Sequence, residues 1–225
     1  MGLTSPGHLR AIPDRERALA QYRMMAADYD ASCRRISRLR QAAIDLLELK
    51  GGETVFDVAC GTGATLVPLA DKVGPRGKVI GFEQSPEMAR IARARVDDSG
   101  TVTPVSVFVA AAEEAPLSEH ADALLFSYTH DVLQNPAAVR HLMQHARPGA
   151  KVAVLATRFV AWWWGAPLNL FTAFRSRHYL TTFRGLSQPW KPLQPYCPDM
   201  RIVGTYFGGS SCLAVGTVAA RTPSA

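Results

Sequence analysis

Short β-rich runs alternate with helix-period segments along most of this chain, and that alternation limits the fold more than any other feature. The runs TVFDVA at 54–59, KVIGF at 78–82, VSVFV at 105–109, ADALLFS at 121–127 and KVAVLA at 151–156 are short and rich in Val, Phe and Leu, as strands are. Helical patterns fill 64–72, the stretch that Ser85 caps with Pro86 at its first position, and 136–146. Strands joined by helical crossovers pair parallel, so the sheet is mostly parallel, doubly wound and covered on both faces. Ligands of such sheets bind at the carboxyl ends of the strands. Two last runs, RIVGTYF and SCLAVGTVA, parted by Gly208 and Gly209, predict an edge hairpin. The fold expected is α/β, a seven-stranded, mostly parallel sheet with an antiparallel C-terminal edge strand.

The flanks differ from this core. Leu19, Tyr22, Met25 and Tyr29 recur at helical spacing, as do Ile36, Leu39, Ala43, Leu46 and Leu47, before Gly51 and Gly52 stop the pattern. Residues 158–200 abandon the alternation for an aromatic, proline-rich stretch. The organisation expected is an N-terminal helical lid over 1–50, a ligand-binding core over 51–157, an acceptor-binding insertion over 158–200, and closing strands with a tail over 201–225.

With 48% hydrophobic and 20% charged residues in 225, the chain can bury a core, which excludes disordered, collagen-like and coiled-coil classes. Cys33, Cys60, Cys197 and Cys212 form no CxxC pair, and no His, Cys, Asp and Glu cluster has metal-ligand spacing. Sparse cysteines, a polar N-terminus and no long apolar run lead to the expectation of a cytoplasmic protein. The net charge of +6 is uneven: Arg158, Arg175, Arg177, Arg184, Lys191 and Arg201 face only Asp199, giving +5 over 158–201. No zinc-finger or RRM signature accompanies it, so nucleic acid is not the expected partner. An anionic small molecule or peripheral membrane contact fits the charge better, with the chain a monomer or homodimer.

The sharpest local signal is Val55-Phe56-Asp57-Val58-Ala59-Cys60-Gly61-Thr62-Gly63, a strand running into a glycine turn and a helix. Such a turn lets backbone approach a ligand and leaves helix N–H groups free. Glu83 ends the next strand, twenty residues after Gly63, where a carboxylate can accept both hydroxyls of an adenosine ribose. Leu66 stands where a dinucleotide fingerprint needs glycine, and there is no GxxxxGK[ST] loop. Hydride transfer and ATP chemistry therefore fall away.

These motifs, VFDVACGTG with VIGFEQSPEMARIARARV, AAAEEAPL at 110–117, LLFSYTHDVL and HARPGAKVAVL, resemble the class I S-adenosylmethionine-dependent methyltransferases. The resemblance spans roughly residues 20–157 and implies a Rossmann-like fold, with S-adenosyl-L-methionine as methyl donor and S-adenosyl-L-homocysteine as product. It implies that Asp57, Gly61 and Gly63 shape the pocket for the methionine half, that Glu83 holds the ribose, that Gln84, Ala112 and Glu113 border the adenine, and that Ala59 and Met88 also belong to the cofactor site. Ser127 and Tyr128 would lie beneath the sulfonium, and Tyr22 and Tyr29 on a helix folded over the cofactor. Ala111 departs from the family, where many relatives carry an adenine-binding aspartate, which implies differently tuned adenine recognition.

Methyl transfer is an in-line displacement, so the protein chiefly aligns the acceptor and excludes water. Tyr128, His130 and Asp131 at the end of the fourth strand are the catalytic candidates, with His130 the candidate base. The insertion should define the acceptor through Trp162, Trp163, Phe171, Arg175 and His178, with Tyr29 of the N-terminal helix also a substrate-binding candidate. Three successive tryptophans cannot all point one way, so Trp162, Trp163 and Trp164 are expected to be shared between core and pocket or lid. The function read here is methylation of an oxygen or nitrogen of a largely apolar biosynthetic intermediate. Its alternatives are a membrane-associated quinone or phospholipid headgroup as acceptor, or a non-methylating protein that rearranges its ligand.

Overall fold

The computed structural model describes residues 13–25 and 34–220. Strands β1 (Thr54–Val58), β2 (Lys78–Glu83), β3 (Val105–Val109), β4 (Ala121–Ser127), β5 (Ala146–Thr157), β6 (Arg201–Tyr206) and β7 (Ser211–Thr217) form one sheet in the order β3-β2-β1-β4-β5-β7-β6. The pairs from β3 through β5 are parallel. Strand β7 runs antiparallel to both β5 and β6, so the C-terminal hairpin closes one edge with β6 outermost.

The strand interiors follow the two-residue period of the pleat. Phe56, Val58, Leu124, Phe126, Val152 and Val154 enter one core layer with Leu142 and Trp190. Val55, Val79, Leu125, Leu155 and Leu213 enter the other with Leu66, Leu69 and Ile44. The central strands are buried on both faces, whereas β6 alternates exposed and half-buried residues as an edge strand does.

Seven α-helices are described: α1 (Arg15–Met25), α2 (Ser37–Asp45), α3 (Leu66–Val73), α4 (Pro86–Ser99), α5 (His130–Leu133), α6 (Pro136–Gln144) and α7 (Trp162–Ser176). Ser85 caps α4 by accepting from the Met88 N–H, with Pro86 at the first position, and Asn135 with Pro136 starts α6 likewise. Among the described residues, the helical spacing ahead of Gly51 resolves into α1, a 3-10 turn over Arg34–Ile36 and α2. Tyr29 and Cys33 lie outside the described residues.

Helix α7 occupies the stretch where the alternation broke. Pro167 lies inside it, and its buried face is Gly165, Asn169 and Thr172. Asn169 clamps that face inward, accepting from the Val160 N–H at 2.9 Å and donating to the Val160 carbonyl at 2.9 Å. The tryptophans therefore turn outward, and all three are more than half exposed, Trp163 at 88%. This corrects the expectation that part of the triplet enters the core. Among the described residues no helix is long and apolar enough to cross a membrane.

Candidate active site

The strand order reverses between β1 and β4, which diverge toward β2 and β5, and the crevice at their carboxyl ends is where an open α/β sheet binds ligands. Two non-glycine residues mark the rim with left-handed backbone, Ala59 at φ 50° after β1 and Tyr128 at φ 59° after β4. Such strain collects at functional sites. Ala59, Gly61, Glu83, Gln84, Met88, Ser127, Tyr128 and His130 line the crevice, with Ala18 and Tyr22 of α1 above them. An adjoining slot is walled by Phe82, Gln84, Ala110, Ala111, Ala112, Glu113 and Val132.

Glu83 is buried at the end of β2, its Oε2 accepting from the Gly61 N–H at 3.1 Å and its Oε1 from the Ser85 N–H at 2.8 Å. A carboxylate has about four acceptor positions, so lone pairs remain for a ligand. Burial raises its carboxyl above the ordinary range, against the pull of the Ser85, Gly61 and Gln84 N–H groups. Ser127 Oγ and Thr129 Oγ1 are shut away from solvent with no hydrogen-bond partner among the described residues. A polar ligand in the crevice would satisfy them.

Asp57 and Gly63 serve the turn, and neither lines the crevice. Asp57 is 1% exposed and accepts from Thr65 Oγ1 at 2.5 Å, which ties the end of β1 to the residue before α3. Burial raises its carboxyl to about 7, opposed by the Thr65 hydroxyl and the Arg40 guanidinium and reinforced by Glu83. Gly63 has φ 76°, and a Cβ there would stand 2.9 Å from Ala92 Cβ and from Leu66 Cδ1. The resemblance places these two at the methionine half of the cofactor, and in this structure their atoms pack the loop. Burial also raises the Cys60 thiol well above its ordinary value, and the carboxylates of Asp57 and Glu83 add to the rise.

His130 opens α5 directly after β4 and is 2% exposed. Its Nε2 lies 2.9 Å from the Arg184 carbonyl oxygen, which can only accept, so Nε2 carries the proton and Nδ1 the lone pair. Nδ1 is buried without a partner among the described residues. Burial lowers the imidazole from 6.5 to about 4, against the opposing effect of the Arg184 carbonyl. The ring is neutral at physiological pH.

Asp131 does a different job. Its carboxylate accepts from the Thr181 N–H at 3.0 Å and from Thr181 Oγ1 at 2.6 Å, binding the end of β4 to the insertion. Helix α1 docks on the same segment: Tyr22 Oη donates to the Tyr179 carbonyl at 3.1 Å, Gln21 Nε2 to the Arg177 carbonyl at 3.2 Å, and the Asp14 N–H to Thr181 Oγ1 at 2.9 Å. Arg15–Glu114 and Arg23–Glu87 ion pairs hold its other flank. Sequence reasoning missed Tyr179, Leu180 and Thr181, whose importance comes from contacts distant in the chain.

A second, largely apolar cavity of about 440 Å³ adjoins the crevice. Tyr22, Tyr128, His130, Tyr179 and Leu180 line both spaces. Its farther wall holds Ile36, Phe171, Thr172, Arg175 and Phe207, and Ser211 Oγ lies 3.2 Å from the Tyr128 hydroxyl. Among the sequence candidates for acceptor binding, Phe171 and Arg175 are here. Trp162 lines a separate cavity, Trp163 faces solvent and lines none of the cavities described, and His178 is exposed away from them. The outward turn of the two tryptophans follows from the inward clamp of Asn169 on α7.

Residues 55–149 match the family described as methyltransferase domain. Over that span, which runs from β1 into β5, the chain carries a methyltransferase domain. It is 28% identical over 147 residues to the ubiquinone/menaquinone biosynthesis C-methyltransferase UbiE of Geobacter sp. (strain M21), covering 62% of this chain and 63% of that protein. It is 31% identical over 116 residues to a 2-phytyl-1,4-naphtoquinone methyltransferase of Thermosynechococcus vestitus, covering 52% of this chain and 51% of that one. The chain thus spans less than two thirds of the length of these relatives. A SAM-dependent O-methyltransferase from Thermotoga maritima superposes with a TM-score of 0.60 at 16% identity, covering 83% of this chain and 67% of that one, a likeness of fold.

Proposed function

We propose that this protein transfers a methyl group from S-adenosylmethionine to a largely apolar, hydroxylated aromatic small molecule of the hydroquinone class. The observation that carries this reading is the position of His130, whose imidazole lines both the crevice under α1 and the apolar cavity beside it. A cavity of about 440 Å³ lies within the rough 300–1,000 Å³ range of small-molecule sites. The relatives named for quinone methylation support the acceptor class.

When bound, S-adenosylmethionine supplies an electrophilic methyl group on its sulfonium. Glu83 accepts from the ribose hydroxyls, the slot of Phe82, Ala110, Ala111 and Ala112 takes the adenine, and Ser127 with the turn at Ala59–Gly61 faces the methionine half. Ala111 offers no side-chain acceptor to the adenine amino group, whereas Gln84 and Glu113 of the same slot do, so adenine recognition there rests on those two and on backbone groups. Helix α1 covers the crevice and keeps water from the reacting atoms.

Magnitude decides the role of His130. An imidazole at about 4 cannot strip a phenol near 10 beforehand, since about six pH units cost roughly 8 kcal/mol. Nδ1 instead accepts a hydrogen bond from the acceptor hydroxyl and orients it. As the new bond to methyl forms, that hydroxyl becomes strongly acidic, and Nδ1 then takes its proton. For attack through the adjacent ring carbon the same proton loss leaves a ring ketone, and the hydrogen on the methylated carbon then passes to that oxygen by tautomerisation, which restores the aromatic ring. Arg175 stands where an anionic substituent of the acceptor would meet it.

The test is methyl transfer from labelled S-adenosylmethionine to reduced naphthoquinones and simple phenols, read by mass spectrometry. Turnover by the wild type, with kcat reduced about 10²–10⁴-fold in His130→Gln at unchanged S-adenosylhomocysteine affinity, is expected. Full cofactor affinity with no transfer to any hydroxyaromatic would favour a non-methylating role.

A further inference from the structure

Helix α7 is inside out. Its buried face is small and polar, Gly165, Asn169 and Thr172, whereas Trp163, Leu170, Phe171 and Phe174 lie on its exposed side. Trp163, Pro167, Leu170 and Phe174 follow at helical spacings of four and three, so they form one stripe. Phe174 is 61% exposed, with the Arg177 guanidinium over its ring at 3.7 Å. A contiguous outward apolar stripe of this kind marks an interaction surface.

The charge around it has one sign. No carboxylate occurs between Arg158 and Pro198. At the amino end of α7 lies a cavity of about 630 Å³ lined by Gln134, Arg158, Phe159, Trp162, Arg184 and Lys191 among others, with no acidic residue. Two of its donors, Arg158 Nε and Gln134 Nε2, are hidden from solvent without a hydrogen-bond partner among the described residues. The α7 start that borders it has no capping side chain and no acid in its first turn. Orphaned donors, cations and an uncapped helix start converge on an anion, and an exposed aromatic stripe beside them on a lipid interface.

We propose that this face seats on an anionic phospholipid surface, with the Trp163–Phe174 stripe among the headgroups and a lipid phosphate in the cavity beside the start of α7. Phe171 and Arg175 of the same helix line the acceptor cavity, so an apolar acceptor dissolved in the bilayer has a short way in. That route rests on the function proposed above, whereas the docking does not.

Sedimentation with vesicles of phosphatidylcholine, alone or mixed with phosphatidylglycerol, tests it. The full chain should sediment with the mixed vesicles at low salt, remain free with phosphatidylcholine alone, and dissociate at high salt. Arg158→Gln and Lys191→Gln should each weaken partition about five-fold, and Trp163→Ser with Leu170→Ser about tenfold or more. Equal capture by both vesicle types, or calorimetric binding of glycerol phosphate without vesicle capture, would overturn the assignment. Titration with S-adenosylhomocysteine separates the two readings. Wild type that binds it but never sediments would end the docking proposal and leave the methyltransferase reading intact, and the reverse result would do the opposite.

Discussion

Glu83 and His130 in the crevice and Asp57 in the turn beside it are three buried titratable groups, and each is held by a different kind of partner. Glu83 accepts from two backbone N–H groups, Asp57 from a hydroxyl, and His130 donates to a carbonyl. Thr65→Val removes the hydroxyl that opposes burial at Asp57 and should destabilise the fold by about 1–3 kcal/mol at pH 8, measured by urea unfolding. Asp57 has a raised value in the fold, so its contribution is full below 3.8 and lost as pH rises through about 7. The cost of Thr65→Val should accordingly shrink at pH 5. His130 has the opposite sign: its value falls from 6.5 to about 4 in the fold, so its contribution is full above 6.5 and lost as pH falls through about 4. His130→Gln should flatten the pH dependence of stability in that window. Glu83 and Gly61 were legible in the sequence because a strand, a turn and the next strand end place them locally. The tautomer of His130 was not, since Arg184 lies 54 residues away and sets it through a backbone carbonyl.

At the scale of elements, the turn into α3 and the cover formed by α1 are held by contacts that single substitutions can isolate. Gly63→Ala must adopt φ 76° and press a methyl 2.9 Å from Ala92 and Leu66, so α3 and α4 have to separate. A loss of about 1–3 kcal/mol is expected in thermal or urea unfolding. Tyr22→Phe removes the hydrogen bond to the Tyr179 carbonyl, worth about 1 kcal/mol. Hydrogen exchange over Arg15–Met25 should then quicken several-fold while global stability stays unchanged. The strands, α4 and α6 could be read in advance, since alternating apolar runs and Ser-Pro or Asn-Pro caps are local signals. Helix α7 could not. Pro167 and Gly165 weaken its pattern, and the apolar periodicity that does exist belongs to the exposed side, the reverse of a core helix.

For the molecule as a whole, the sheet order places one crevice where β1 and β4 diverge, and the insertion and α1 close over it from two sides. Residues 177–181 join these parts, because α1, Asp131 and the acceptor cavity all meet there. A ligand bound in that crevice should stabilise the entire fold, by about 2.7 kcal/mol when S-adenosylhomocysteine stands at a hundred times its Kd. The measurement that bears most directly on this reading is calorimetric titration of S-adenosylhomocysteine into the wild type and Glu83→Gln. One-to-one binding by the wild type, weakened about 10–100-fold by loss of the charged acceptor while Glu83→Gln still unfolds cooperatively, is the expected result. No heat with the wild type, or equal affinity in both proteins, would contradict the placement of the methyl donor at Glu83.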